Sequence, residues 1–359
     1  MTVYIVIFII FAFIYLLPPN KYINIYFTSL VVILMSLLSA FRGNLGADTL
    51  VYLSIYNNVP DIFSINLEHF REENGFILFA SICRTLNLSS ETFFFFFSLI
   101  MNIVLSCALY RFQPKLIIPA LILYYCTSFL HFEFNIIRHG MMTACIWMGF
   151  SYIYEKKIIK YLIWILIGCS FHKIGFLFLP FYWILNVEFN YKYIIFLFSI
   201  IALFLFVFNI FELLLNILPL NTVIGKSIDY YATDYAGGIG NSKIGISSGL
   251  ILNILISLYT FYKKKLFIHQ CNISRNALFF GIFFYIIFSS IGVFSQRVAS
   301  TLYISLCLII PMIIYKLSAK PETKLVFKLL FICYCYSYLI SNLNVKDVYG
   351  HYEFIPFTF

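Results

Sequence analysis

Thr92-Phe93-Phe94-Phe95-Phe96-Phe97-Ser98-Leu99-Ile100-Met101-Asn102-Ile103-Val104-Leu105-Ser106-Cys107-Ala108-Leu109-Tyr110-Arg111 is the stretch that decides the fold. Its charge is confined to Arg111, and as a helix it is about 30 Å long, the thickness of a bilayer's hydrocarbon core. Comparable apolar runs lie at 3–17, 22–41, 116–130, 136–154, 193–217, 245–262, 276–294, 299–315 and 325–341. Around them, 62% of the 359 residues are apolar, 11% are charged and the mean hydropathy is +0.93. No water-facing surface tolerates that balance. The expectation is an all-α polytopic membrane protein of about 10–12 transmembrane helices, forming one integral membrane domain over 1–359.

The net charge of +9 comes from short Lys-rich clusters between apolar runs, at Lys156-Lys157-Ile158-Ile159-Lys160, Lys263-Lys264-Lys265 and Lys316 to Lys328. That is the positive-inside pattern of cytoplasmic helix ends, and nucleic acid is not an expected partner. Eight of the nine Cys, all but Cys271, fall inside apolar runs without CxxC or His spacing, so no metal is expected. The start, Met1-Thr2-Val3-Tyr4-Ile5-Val6-Ile7, lacks a basic region and cleavage site, and the first run is expected to remain a helix. The five-Phe run at 93–97 reads as local bias.

Two stretches are ambiguous. Residues 75–88 are short and carry Arg84, while 161–185 are long but interrupted by His172-Lys173. Both suit re-entrant segments, which exist only where protein or a watery cavity shields the backbone. If neither makes a net crossing, the basic clusters fall inside and both termini outside. The 42–74 and 218–244 loops and the 342–359 tail then lie outside as well.

Ionisable residues in an apolar setting cost about 2.5–3.5 kcal/mol each on insertion scales and mark candidate sites. In Arg42-Gly43-Asn44-Leu45-Gly46-Ala47-Asp48, two glycines permit a tight turn between a guanidinium and a carboxylate. Asp48, Tyr52 and Tyr56 then share a helical face, with an N-cap for Asp48 as the plainer reading. Glu72-Glu73-Asn74-Gly75-Phe76 opens the short segment, where acidic residues suit a helix N-terminus. Asn135-Ile136-Ile137-Arg138-His139-Gly140 puts a guanidinium at a helix start, a setting for phosphate or for simple snorkelling. Phe171-His172-Lys173 sits well inside an apolar stretch, and Ser295-Gln296-Arg297 supplies a third outer guanidinium. Arg42, Arg138 and Arg297, against the positive-inside tendency, point to an anionic ligand.

In these motifs, together with Glu73-Asn74-Gly75-Phe76 and the terminal Ile355-Pro356-Phe357, the chain resembles the EpsG family of Wzy-type polysaccharide polymerases over essentially its whole length. It departs at Lys173, where the family usually has a small residue, and at Phe357, where Tyr is frequent. The resemblance implies a GT-C-like fold and an O-antigen-like polymerase of the bacterial inner membrane, working at its periplasmic face. Such an enzyme transfers a growing glycan from undecaprenyl diphosphate to the non-reducing end of another lipid-linked repeat. Its partners are the lipid-linked donor and acceptor, membrane lipids and, where present, a chain-length regulator protein. No cofactor, nucleotide sugar or obligatory metal is implied.

Those residues suit that chemistry. Arg42, Arg138 and Arg297 stabilise departing phosphates, with Tyr52, Glu73 and Lys173 as further binding candidates. His172 or Asp48 serves as the base, and in-line attack inverts the anomeric centre. The rival readings are a lipid-linked oligosaccharide flippase and a membrane acyltransferase using the Arg138-His139 pair on surface glycan.

Overall fold

A computed structural model describes residues 2–17, 21–207, 247–263, 271–289, 292–318 and 321–344, and the regular structure among them is entirely helical. Where lipid replaces water, a helix satisfies its own backbone polar groups, so apolar patterning and helical outcome share one cause. The helices are α1 (Thr2–Leu16), α2 (Lys21–Ala40), α3 (Thr49–Asn58), α4 (Asn74–Thr85), α5 (Ser90–Phe112), α6 (Ile117–Tyr124), α7 (Ile137–Phe150) and α8 (Ile158–Phe171). There follow α9 (Tyr191–Val207), α10 (Ser248–Tyr262), α11 (Cys271–Ile287), α12 (Gly292–Tyr303), α13 (Leu306–Leu317) and α14 (Pro321–Leu343). Among the described residues, Ser90–Phe112 and Thr323–Leu343 are each long and apolar enough to cross a membrane alone, and seven shorter apolar helices accompany them. The protein is an all-α polytopic membrane protein, as its composition requires.

Several boundaries differ from the apolar runs. The run at 116–130 becomes α6 followed by two π-helical stretches, Tyr125–Phe129 and His131–Asn135. The run at 299–315 is interrupted between α12 and α13. The run expected from 276 starts at Cys271, because Asn272, Ser274, Arg275 and Asn276 are polar yet buried. Asn276 explains part of this, its side-chain amide donating to the carbonyls of Leu185 and Val187 at 2.9 and 2.7 Å.

The chain divides into two compact units, residues 1–182 with 307–359, and residues 183–306. In the second, α9, α10 and α11 pack Ile194, Phe261 and Phe279 together. In the first, α2 packs along α5, and α7 packs against both α5 and α8.

Two turns of the first unit show how its ambiguous segments run relative to the helices beside them. Arg42, just past α2, lays its guanidinium 4.0 Å from the ring of Phe94 in the opening of α5. The stretch from 41 to 89, containing α3 and α4, thus leaves and returns at one end of the α2–α5 pair. At 12 residues, about 18 Å long, α4 is too short to span hydrocarbon. Beyond α8 the chain turns at His172 and doubles back, so that the Tyr161 hydroxyl donates to the Phe178 carbonyl at 2.5 Å and the Tyr161 and Tyr182 rings lie 5.2 Å apart. The long 161–185 stretch therefore reverses direction at His172.

The opposite end of this unit is basic. Arg111, at the close of α5, donates through Nε to the Ser151 hydroxyl at 2.9 Å, pairs with Glu155 and lies over Tyr152. Lys157 meets Glu155 at 2.5 Å. Because α7 runs from Arg138 toward Ser151 and α8 runs back from Lys157 toward His172, Arg138 and His172 share the end remote from Arg111.

Candidate functional site

At that remote end α4 begins against the close of α8. A Cβ at Gly75 would lie 2.7 Å from the backbone carbonyl oxygen of Ser170, so only glycine allows this approach. The approach brings Glu73 into the site. Glu73 occupies the N-cap position of α4 without using its side chain as a cap. Its carboxylate instead pairs with Arg138 at 2.5 Å through one oxygen and accepts the Lys173 backbone N–H at 3.3 Å through the other. Residues from α4, α7 and the turn after α8 are thereby joined through one carboxylate.

Tyr52, four residues into α3, is buried and its hydroxyl lies against the Arg138 guanidinium. His172 has extended backbone, φ −158° and ψ 124°, and its Nδ1 accepts the Ile174 N–H at 3.3 Å, capping the 3-10 turn Lys173–Phe178. The ring of His139, next to Arg138 on α7, meets the His172 ring edge-on at 5.2 Å. Beneath these groups is an aromatic floor. Phe76 packs 5.7 Å from Tyr52 and from Phe97, and Phe97 packs 5.9 Å from Phe171. The five-Phe run is more than compositional bias: Phe93, Phe94 and Phe97 turn inward to build this floor, while Phe96 is exposed.

A second polar cluster holds the chain just before Arg138. Arg42 is wholly enclosed and donates through Nη1 to the Glu133 backbone carbonyl. The Glu133 carboxylate, also buried, accepts from Asn102 at 2.8 Å, with the Ser39 and Ser98 hydroxyls beside it and Arg42 as its countercharge. The Ala47 N–H donates to the Asn135 side-chain oxygen at 2.9 Å, and the Thr49 hydroxyl, which donates to the Leu45 carbonyl at 2.5 Å, lies 3.3 Å from the Phe134 carbonyl. This cluster clamps the 42–49 turn onto the 133–135 segment. Glu133→Leu, which leaves the enclosed Arg42 charge without its carboxylate, is expected to lower stability by about 3–5 kcal/mol. A fall in the melting temperature of detergent-purified protein checks this, and an unchanged melting curve would refute the clamp.

A model of the EpsG family matches residues 24–359. The chain belongs to the EpsG family. Proteins of the EpsG family are Wzy-type polymerase-like, which makes this chain a polysaccharide-polymerase-like and glycosyltransferase-like membrane protein at the level of the family. No curated protein and no solved structure matches it significantly.

Within this EpsG-family chain, the expected site residues fall into groups. Arg138, Glu73, Tyr52, His172 and the Lys173 backbone come together as described, and the Lys173 side chain is exposed. Asp48 sits at the N-cap of α3, one turn before Tyr52, and its side chain makes no cap hydrogen bond there. Arg42, expected at a diphosphate, is 0% exposed and turned into the clamp. Arg297 is half-buried on α12 in the second unit. The 218–244 loop, with Asp229, Tyr230, Tyr231, Asp234 and Tyr235, and residues 345–359 of the tail lie outside the described residues. Among the described residues no three His, Cys, Asp or Glu side chains converge as a metal site.

Glu133 and the His139–His172 contact were absent from the sequence-based expectation. Glu133 had a signal: it is the sole carboxylate between Glu91 and Glu155. A lone acid in more than 60 apolar-rich residues requires a partner.

Proposed function

We propose that this EpsG-family protein is the polymerase that moves a growing glycan from undecaprenyl diphosphate onto the non-reducing end of another lipid-linked repeat, at the outer face of a bacterial inner membrane. The observation that carries the reading is the Arg138–Glu73 pair, held by three separate segments beside His172 and Lys173. A partly exposed guanidinium held by the Glu73 carboxylate and the Tyr52 hydroxyl suits a phosphate that enters and leaves. In the transfer, the acceptor hydroxyl oxygen bonds to the anomeric carbon as the bond from that carbon to the diphosphate oxygen breaks. The electron pair departs on the diphosphate, where Arg138 meets the developing charge. The hydroxyl proton passes to a carboxylate or imidazole base. Arg42, being enclosed, takes a positioning role through the clamp.

Orientation supports the outer face. By the positive-inside tendency, the Arg111, Lys156, Lys157 and Lys160 end faces the cytoplasm, and the Arg138 end lies away from it.

The test is gel analysis of surface glycan from a deletion strain and from the same strain carrying the gene. Loss of this polymerase leaves glycan capped with a single repeat, and restoration returns the ladder. Complete loss of surface glycan identifies a flippase, and glycan of unchanged length lacking O-acyl groups identifies an acyltransferase. Either result overturns the reading.

A further inference from the structure

We propose that the turn of residues 151–157, between α7 and α8, is the headgroup site of an anionic phospholipid of the phosphatidylglycerol type, whose acyl chains lie along the exposed face of α8. The site is at the Arg111 end of the first unit, remote from Arg138, and is independent of the glycan transfer. Four cations gather there: Arg111 from the close of α5, Lys156 and Lys157 from the turn, and Lys160 from the start of α8. Two of them meet on one ring, with the Arg111 guanidinium 4.1 Å and the Lys160 ammonium 5.6 Å from the centre of Tyr152. The carboxylate of this turn, Glu155, is already divided between Arg111 and Lys157. Among the described residues, Lys156 and Lys160 pair with no carboxylate, and both are exposed. The turn therefore carries more positive charge than its own acid can offset.

The backbone singles out Lys156. The Lys157 N–H donates to the Tyr152 carbonyl at 3.1 Å and the Lys156 N–H to the Ile153 carbonyl at 3.0 Å, the pairing that ends many helices on a glycine. Lys156 stands in the glycine's place with φ +54°, a region where a Cβ is strained. Glycine would close this turn with less strain, but would leave it one ammonium short. Beyond the cations the surface becomes apolar. Ile163 and Ile167, three and seven residues after Lys160, share its helical face and are 51% and 39% exposed. Helical side chains tilt toward the N-terminus, so Lys160 reaches toward the membrane surface while the isoleucines stay among acyl chains. Cations at the head of an apolar lane match a lipid whose phosphodiester charge stands alone. A phosphatidylcholine would bring its own quaternary ammonium against Lys156 and Lys160.

The test uses the full-length protein in a neutral detergent. Added phosphatidylglycerol is expected to raise its melting temperature by about 5 °C or more, and phosphatidylcholine at the same mole fraction by less than about half as much. Lys156→Gly is expected to melt no lower than wild type without lipid, because the turn relaxes, and yet to lose about half or more of the phosphatidylglycerol increment. Lys160→Gln loses a comparable share, and Lys160→Arg retains it. Lys263→Gln, which removes an ammonium 4.9 Å from the Tyr262 ring in the second unit, leaves the increment unchanged.

Equal increments from the two lipids overturn the proposal, as does a full phosphatidylglycerol increment in either Lys156→Gly or Lys160→Gln. A loss in Lys263→Gln equal to that in Lys160→Gln reveals a diffuse response to basic charge and no site at this turn. Sodium phosphate that matches the effect of the lipid reveals a site for free anions. Each of these last two results also overturns the proposal. Melting is read without turnover, so the outcome stands apart from that of the glycan ladder.

Discussion

Arg138→Ala is expected to stop glycan lengthening, lowering turnover by about 10³-fold while the protein still folds. The guanidinium is partly exposed and its partner Glu73 keeps a second contact, to the Lys173 backbone, so removal empties the site without collapsing the core. Arg138→Lys retains the charge but loses the planar fork that meets two phosphate oxygens together. It should recover some activity and remain about 10- to 100-fold below wild type. The ladder of surface glycan from complemented deletion strains, read beside expression level, measures the effect in cells. A normal ladder from Arg138→Ala at normal expression removes this residue from the chemistry.

Gly46→Ala is expected to fail differently, through the fold. Gly46 has φ +100°, a region L residues avoid, and a Cβ there would lie 2.8 Å from the Phe134 carbonyl carbon, inside any real contact. Backbone strain and collision together are expected to cost about 3 kcal/mol or more, because neither the turn nor the segment against it can move without the other. Relief would pull the 42–49 turn from the 133–135 segment, breaking the Ala47–Asn135 hydrogen bond. Melting temperature and activity should fall together, whereas Arg138→Ala separates them. A Gly46→Ala protein with wild-type melting and a full ladder would show that the turn accommodates a side chain.

The membrane architecture was legible because lipid enforces it. A run such as 92–111 has one stable backbone solution in hydrocarbon, and α5 takes it with slightly extended ends. The polar start of α11 was not legible, since a hydropathy window reads Asn272, Ser274, Arg275 and Asn276 as loop. Only tertiary partners such as the Leu185 and Val187 carbonyls make them interior. The site was half legible. Arg138, Glu73 and His172 stood out because charge is costly beside apolar runs, but their union depends on Gly75 admitting α4 to the end of α8, a contact between positions some 95 residues apart. Arg42 presented the same signal as Arg138 and has a different fate, because Glu133 sits opposite it. No local pattern distinguishes a guanidinium at a surface from one enclosed by a distant carboxylate.

The reversal of the chain at His172 sets a depth. Helix α8 has 14 residues, about 21 Å, between the Lys157 end and the turn, against hydrocarbon about 30 Å thick. Measured from the Lys157 end, the turn at His172 stops short of that thickness. Under the polymerase reading, the lipid carrier must lower its headgroup to that turn, and only the sugars nearest the diphosphate follow it. The rest of the glycan trails in water. A site that touches the linkage but not the trailing polymer has no gauge of how long that polymer has become, so under that reading the limit on length comes from elsewhere.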